Sequence, residues 1–404
     1  MKNKRLLFLL VFLSNTLLLS GCWSKKELTD LAIVAAIGID KNEEGRYVGT
    51  LQIINPGNVA GGMQGGGGSQ GPPVSVITGT GDSIVELSRR TSRKLSRRLY
   101  YAHTNLVVIG EDLAKEESIS NILDPLERDA EFRSTAIIVI AQGTKASDIV
   151  KVLTAIDKIP ANKIIKTLKF TERTWGENIS VSMQDAIKTL VSPGKELVVS
   201  GFRMSGDVDK GKSMENTHQT EPSSLLYAGS LAIFKNGKLT DWIDGETARG
   251  SVFLLDKLNA SAIGVKWEGK DEAISYELIR QKTKVMAKME KGKPRVSIEV
   301  QAEGNIGESR VYTDLNNPDV LLKIENEIEK EIKKEILMAV KQAQNNKSDI
   351  FGFGEALHRT NPKEWKKMVS KWNDVYFPEV KTDIVVDAFI RRTGLRNNPH
   401  QVNK

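Results

Sequence analysis

The sequence predicts an α+β protein with mixed and antiparallel sheets, packed helices and three domains in series. Three observations predict it. Short β-branched runs and helix-period segments come in blocks along the 404 residues rather than in strict strand–helix alternation. An Asn236-Gly237 step between two apolar runs marks a hairpin, and Val296, Ile298 and Val300 alternate with Ser297, Glu299 and Gln301 as in a half-buried strand. Near the end, Leu321, Ile324, Ile328, Ile332, Ile336 and Val340 form one stripe on a Glu/Lys-rich helix running from Asn317-Pro318-Asp319 to about Gln344.

The chain opens with a positive stretch (Lys2, Lys4, Arg5), an apolar stretch (Leu6 to Leu19) and two small residues, Ser20 and Gly21. This is the pattern of a secretory leader over 1–21, too short for a permanent membrane helix. Leu19-Ser20-Gly21-Cys22 has the form of a lipobox, so Cys22, the single cysteine of the chain, is the expected lipidation site and new N-terminus, carrying fatty acyl groups such as palmitate. Loss of the three leader cations takes the formal charge from +7 to +4. That mild excess argues against a dedicated nucleic-acid binder and is compatible with a place near anionic lipid.

The mature chain divides on composition into an N-terminal α+β region (22–204), a linker with a middle hairpin–helix domain (205–268), a C-terminal α+β domain (269–396) and a polar tail (397–404). Leu31 to Ile39 and Tyr47 to Ile54 read as strands around the turn at Lys41 to Gly45. Gly57 to Gly71 is glycine-rich but lacks the Gly-Lys-Ser/Thr and helix of a phosphate loop, and reads as a loop. Val74 to Thr80 is a strand, and Ser83 with Glu86 forms a capping box for a helix running to about Leu99. Arg89, Arg90, Arg93, Lys94, Arg97 and Arg98 lie opposite its apolar face. They read either as a solvated surface or as a dock for acidic lipid or an acidic partner.

Arg128-Asp129-Ala130-Glu131-Phe132-Arg133 alternates acids and bases at a helix-to-strand turn, and self-neutralising ion pairs are the simpler reading than an acid–base site. Ser205 to Ser224 is polar enough for a linker or long exposed loop. Leu225 to Phe234 and Lys238 to Ile243 make the hairpin, and a helix follows from about Glu246. Trp365, Val369 and Trp372 are spaced as a core stripe of a short helix that begins at Asn361-Pro362. The Glu/Lys-rich remainder of the long helix reads as a solvated face, with short-range ion pairs. His103, His218, His358 and His400 show no metal-ligand spacing, and no nucleotide or hydrolase motif is present. The residues therefore point to no catalytic site, metal or cofactor.

Four stretches carry a resemblance. They are CWSKKELTDLAIVAAIGID from Cys22, HTNLVVIGEDLA with the Arg128–Arg133 element, AGSLAIFKNGKLTDWIDGETARG with Glu246, Thr247, Arg249 and Gly250, and DIFGFGEALHRTNPKEWKKM to IRRTG. The last holds Asp349, Gly352, Gly354, Pro362, Trp365, Trp372 and Gly394. Together they resemble the Ger(x)C family, the lipoprotein C subunits of spore germinant receptors. The resemblance implies three α+β domains, anchoring on the outer face of the spore inner membrane, and assembly with integral-membrane subunits A and B. It implies no enzyme activity. The alternatives are a solute-binding lipoprotein delivering a ligand to a transporter, and a tethered hydrolase.

Overall fold

The structure is a computed structural model and describes residues 27–60 and 71–393. The leader, Cys22, most of the glycine-rich stretch, Gly394 and the polar tail lie outside the described residues.

A large mixed sheet forms first along the chain. β1 (Leu31–Lys41), β2 (Tyr47–Ile54) and β3 (Val74–Gly81) make an antiparallel meander. β4 (Arg98–Tyr100) pairs parallel with the start of β1, and β5 (Leu106–Gly110) and β6 (Ile137–Ala141) extend the other side in parallel. β5 and β6 are continuous apolar runs because helices cover both faces of the sheet there. β7 (Val198–Gly206) follows β6, and the hairpin of β8 (Ser224–Lys235) and β9 (Lys238–Ile243) completes the order β3-β2-β1-β5-β6-β7-β8-β9. The hairpin of the middle segment thus continues the sheet of the N-terminal region through β7. Its turn carries positive φ at Asn236 and Gly237, 51° and 76°, as the Asn-Gly step requires.

The helices that cross over this sheet include α1 (Ile84–Ser92), α2 (Ser120–Glu127), α3 (Ala146–Lys151) and α4 (Pro160–Thr174). α3 and α4 seal one face with Ile149, Val150, Ile164 and Leu168 over Ala36, Val108 and Phe202. The end of β1 positions α3. The buried Asp40 carboxylate accepts the Ala146 and Ser147 N–H groups at 2.8 Å each, satisfying two free donors of the helix start. That gives the Ile-Gly-Ile-Asp end of the first strand a structural reason.

The polar stretch 205–224 is a packed corner rather than a loose linker. Two helical turns, 208–211 and 215–218, surround a buried Asn216, whose side chain donates to Leu153 O (2.8 Å) and Ser224 O and accepts from Ser224 N. Its low apolar content misleads because hydrogen bonds, not side-chain burial, hold it.

After α5 (Gly245–Leu254), a second sheet runs β10 (Ser261–Trp267), β11 (Lys270–Glu290), β12 (Lys293–Ser309) and β13 (Lys381–Arg392), the last pair parallel. β11 is one strand throughout, with a register shift against β12 between Leu278 and Arg280. The long helix α6 (Pro318–Asn345) lies on this sheet with Ile324, Ile328, Ile332, Ile336 and Val340 buried as the sequence requires. Of the tryptophan stripe, Trp365 and Trp372 are buried, whereas Val369 is exposed because the helix gives way to a tighter turn there. No helix among the described residues is long and apolar enough to cross a membrane.

Candidate functional site

The basic run and the acid–base element, 30 residues apart in sequence, meet over one face of the large sheet. Ser83 caps α1 by accepting the Glu86 N–H at 3.1 Å, and the Glu86 carboxylate accepts the Asp82 N–H. Ile84 and Leu87 face the core. The helix stops at Ser92, earlier than the expected Leu99. Thr91 and Ser92 bond back to Leu87 O and Ser88 O, which competes with the regular ladder, and the run of like charges gains nothing from staying helical. Leaving the helix lets residues 98–100 pair with Leu31, Ala32 and Ile33 and buries Leu99.

This early stop divides the six basic residues. Arg90, Arg93 and Lys94 border a shallow recess against Gly79 and Thr80, where Lys94 donates to Thr78 O at 2.7 Å and Arg90 pairs with Glu86 at 2.6 Å. Arg89, Arg97 and Arg98 stand instead at a cleft of about 690 Å³. Its floor is Ile37, Ile39 and Leu51 of the sheet, and its walls are Ile84 and Leu87 on one side and Pro125, Leu126 and Phe132 on the other. Tyr101 packs against Phe132 and shares a 2.9 Å hydrogen bond with Ser88; burial raises its phenol pKa.

The Arg128–Arg133 element closes the far wall, and its charges are neutralised mostly from outside the element. Arg128 holds Asp124 with two hydrogen bonds, and Glu131 pairs with Arg98 at 2.7 Å. Asp129 accepts the Glu131 N–H. Arg128 and Glu131 are thus paired outside the element, whereas Asp129 and Arg133 make no ion pair among the described residues. The Arg89, Arg93 and Arg97 side chains likewise make no hydrogen bond or ion pair among the described residues.

A second polar assembly lies at the seam where the hairpin and α5 meet the C-terminal region. Asp349 is fully buried. One of its oxygens accepts from the N–H groups of Gly352 (2.9 Å) and Phe353 (3.0 Å), the other from Gly354 N–H (2.7 Å) and Trp372 Nε1 (2.8 Å). Gly352 takes φ 77°, and a Cβ on Gly354 would lie 2.6 Å from the Trp365 ring and 2.8 Å from Gly194 Cα. The Asp349-to-Gly354 signature is therefore a carboxylate-centred loop. Burial pushes Asp349 up to about 6 against the pull of its four donors.

Next to it, Glu196 accepts from the Asn236 N–H in the hairpin turn and from Asn373 Nδ2, and burial lifts it to about 6 as well. Farther along, Arg249 of α5 grips the buried Glu335 of α6 with two hydrogen bonds, one of 2.9 Å from Nε. A Cβ on Gly250 would sit 2.2 Å from Glu335 O, so the glycine lets the two helices cross closely.

Glu335 and Glu196 are missed by sequence reasoning. Glu335 lies on what reads as a solvated face, although the expected surface pairs Lys330–Glu327 and Lys334–Glu331 do form at 2.6 Å. Its signal was its position next to the Ile332–Ile336 stripe. Glu246 and Glu331 come near Glu335, but Lys334 bridges the first two and Arg249 holds the third, so the cluster is neutralised by the chain itself.

The comparisons with known proteins bear on both sites. Residues 24–204 match the family described as spore germination protein N-terminal domain, and residues 229–394 match spore germination B3/GerAC-like, C-terminal. The chain is 48% identical over 400 residues to spore germination protein KC of Bacillus subtilis (strain 168), covering 99% of this chain and 98% of that one. Spore germination protein A3 of the same organism is 26% identical, with 94% and 96% covered. The crystal structure of the GerBC protein aligns with a TM-score of 0.56 at 18% identity, over 88% of this chain and 96% of that one, which shows a shared α+β fold.

Proposed function

The chain belongs to the GerAC-like family of spore germination proteins, and from that premise we propose that it is the lipid-anchored C subunit of a nutrient germinant receptor. It is held through Cys22 to the outer face of the spore inner membrane of an endospore-forming bacterium. It works without catalysis, together with integral-membrane subunits A and B. The likeness to spore germination protein KC along both whole chains is the observation that carries this reading.

The residues support it in two ways. The seam carboxylates are all held by structural donors, so none is poised as a base. A solute-binding protein would show two lobes around a hinged cleft. Here one sheet continues from β3 to β9, and the C-terminal region is stitched to it by backbone bonds such as Glu196 N to Asp349 O at 2.8 Å.

Purification of the tagged protein from spore inner membranes tests the reading, with mass spectrometry of its partners and of the N-terminal peptide. Subunits A and B should co-purify, and the peptide should begin at an acylated Cys22. A free protein with an unmodified Cys22 would refute it. Calorimetry of the mature chain with a panel of nutrients should give no micromolar, stoichiometric binding; such a site would favour the solute-binding alternative.

A further inference from the structure

We propose that the cleft below Arg89 and Arg97 binds a single anionic phospholipid, with an acyl chain inside and the phosphate on the two guanidinium groups. The inference deepens the anchoring reading above and rests on it.

Three independent observations converge. The first is the hollow itself. About 690 Å³ lies within the range of small-molecule sites, and Ile37, Ile39, Leu51, Leu87, Leu126 and Phe132 give it an apolar side, while Ser88, Ser92, Tyr101, Asp129 and Glu131 join the arginines as its polar lining. An apolar side of that extent favours an apolar segment of a guest over water.

The second is the charge at its mouth. Arg98 is paired with Glu131, and the Asp129 carboxylate, which accepts the Glu131 N–H, stands at the same mouth as an anion, so Arg89, Arg97 and Arg98 outnumber Asp129 and Glu131 there. Arg89 and Arg97 line the same mouth with no ion pair or hydrogen bond among the described residues. Two free guanidinium groups above an apolar pit match an anionic head on an apolar tail, because guanidinium binds phosphate oxygens in a forked geometry. A bare anion would leave the pit unfilled, and a neutral lipid would leave the cations unmatched.

The third is position. Leu31, Ala32 and Ile33 run hydrogen-bonded beside Arg98, Leu99 and Tyr100, so the chain enters the fold along the wall of the cleft. Cys22 is nine residues before Leu31, at most about 30 Å of extended chain. An acylated Cys22 keeps the mouth of the cleft within reach of the bilayer surface, where anionic lipid is at high local concentration.

The test uses the mature chain made without its acyl groups; every described residue lies downstream of Cys22, so the whole fold is retained. The probe is monomeric dioctanoyl phosphatidylglycerol below its micelle concentration, followed by calorimetry. Dioctanoyl phosphatidylcholine and inorganic phosphate serve as controls. Wild type should bind one phosphatidylglycerol saturably and each control at least tenfold more weakly. Arg89→Glu/Arg97→Glu should weaken binding at least tenfold, and so should Ala130→Trp, which puts bulk at the exposed rim of the cleft without changing charge. Both variants should melt as wild type does.

Full affinity in Ala130→Trp would place the lipid on the charged surface and overturn the cleft assignment. Equal affinity for phosphatidylcholine would overturn the role of the arginines. Absence of monomer binding would overturn the proposal even with Cys22 acylated. An unmodified Cys22 in protein from spores, with monomer binding intact, would overturn the anchoring reading alone.

Discussion

The seam and the cleft both collect charge, and they treat it in opposite ways. At the seam, Asp349, Glu196, Glu335 and Arg249 are buried or nearly so, and each faces donors or acceptors from a different element. None of the buried side-chain polar atoms left without a partner among the described residues belongs to this group. At the cleft, Arg89 and Arg97 stand exposed with no ion pair or hydrogen bond among the described residues. Charge that is matched internally fixes how elements pack. Charge left unmatched beside a hollow is available to something outside the chain. Two of the stretches that carry the family resemblance, Asp349 to Gly354 and Glu246 to Gly250, both fall at the seam and are explained by folding. Function has to be sought where the bonds are missing.

The largest break in that contrast comes from Asp349→Ala. It strands three backbone N–H groups and the Trp372 indole N–H in a dry site, each lost bond costing about 1–3 kcal/mol. A loss of about 4 kcal/mol or more in denaturant unfolding is expected, enough to lower soluble yield. A loss under about 1 kcal/mol would show that water reaches the loop and that the seam is not the closed assembly described.

Arg249→Met comes next, with an expected loss of about 3–5 kcal/mol, because Glu335 is left charged and buried. The double variant Arg249→Met/Glu335→Leu should recover most of that loss. A double-mutant cycle without coupling would mean that the two helices are held by Gly250 and their apolar contacts alone.

The pH dependence of stability follows from the two carboxylates lifted to about 6. Their unfolded values are near 4, so between about pH 4 and pH 6 the folded chain binds more protons than the unfolded one. These groups therefore favour the fold most at low pH, and their contribution is lost as pH rises through 6. Glu196→Gln should flatten part of this slope, whatever constant penalty its altered hydrogen bond adds. An unchanged slope would remove Glu196 from the titrating pair.

Much of the frame was legible in the sequence because it depends on local signals. The Asn236-Gly237 turn, the Ser83–Glu86 cap, the Asn317-Pro318 helix start and the isoleucine stripe are each set within a few residues, and all form. Legibility ended where two distant segments decide the outcome. The stop of α1 at Ser92 depends on Leu99 finding a place beside β1, which no helical period encodes. Glu335 reads as one more surface glutamate until Arg249, 86 residues away, is set against it. The cleft is a space between α1 and the Arg128–Arg133 turn, and a space has no residue to mark it. The basic residues read as one cluster in the sequence, and only the fold separates the three at the cleft from the three at the recess.

The smallest expected effect sharpens the comparison most, because its sign differs between the regions. At the seam, truncating Asp349 or Arg249 lowers stability. At the cleft, Arg89 and Arg97 stand among four other cations between residues 89 and 98, and no ion pair among the described residues offsets their mutual repulsion. Arg89→Gln/Arg97→Gln should therefore leave stability unchanged or raise it by no more than about 0.5 kcal/mol. The rise should appear at low ionic strength and vanish in high salt, where repulsion between exposed charges is screened. Arg98→Gln should behave in the opposite sense, since it breaks the pair with Glu131, with a loss of up to about 1 kcal/mol that salt also reduces. Thermal unfolding of the two variants at two salt concentrations reads both signs directly. If Arg89→Gln/Arg97→Gln destabilises at either salt concentration, the two guanidinium groups have an internal partner, and the division between matched and unmatched charge fails at the point that matters for binding.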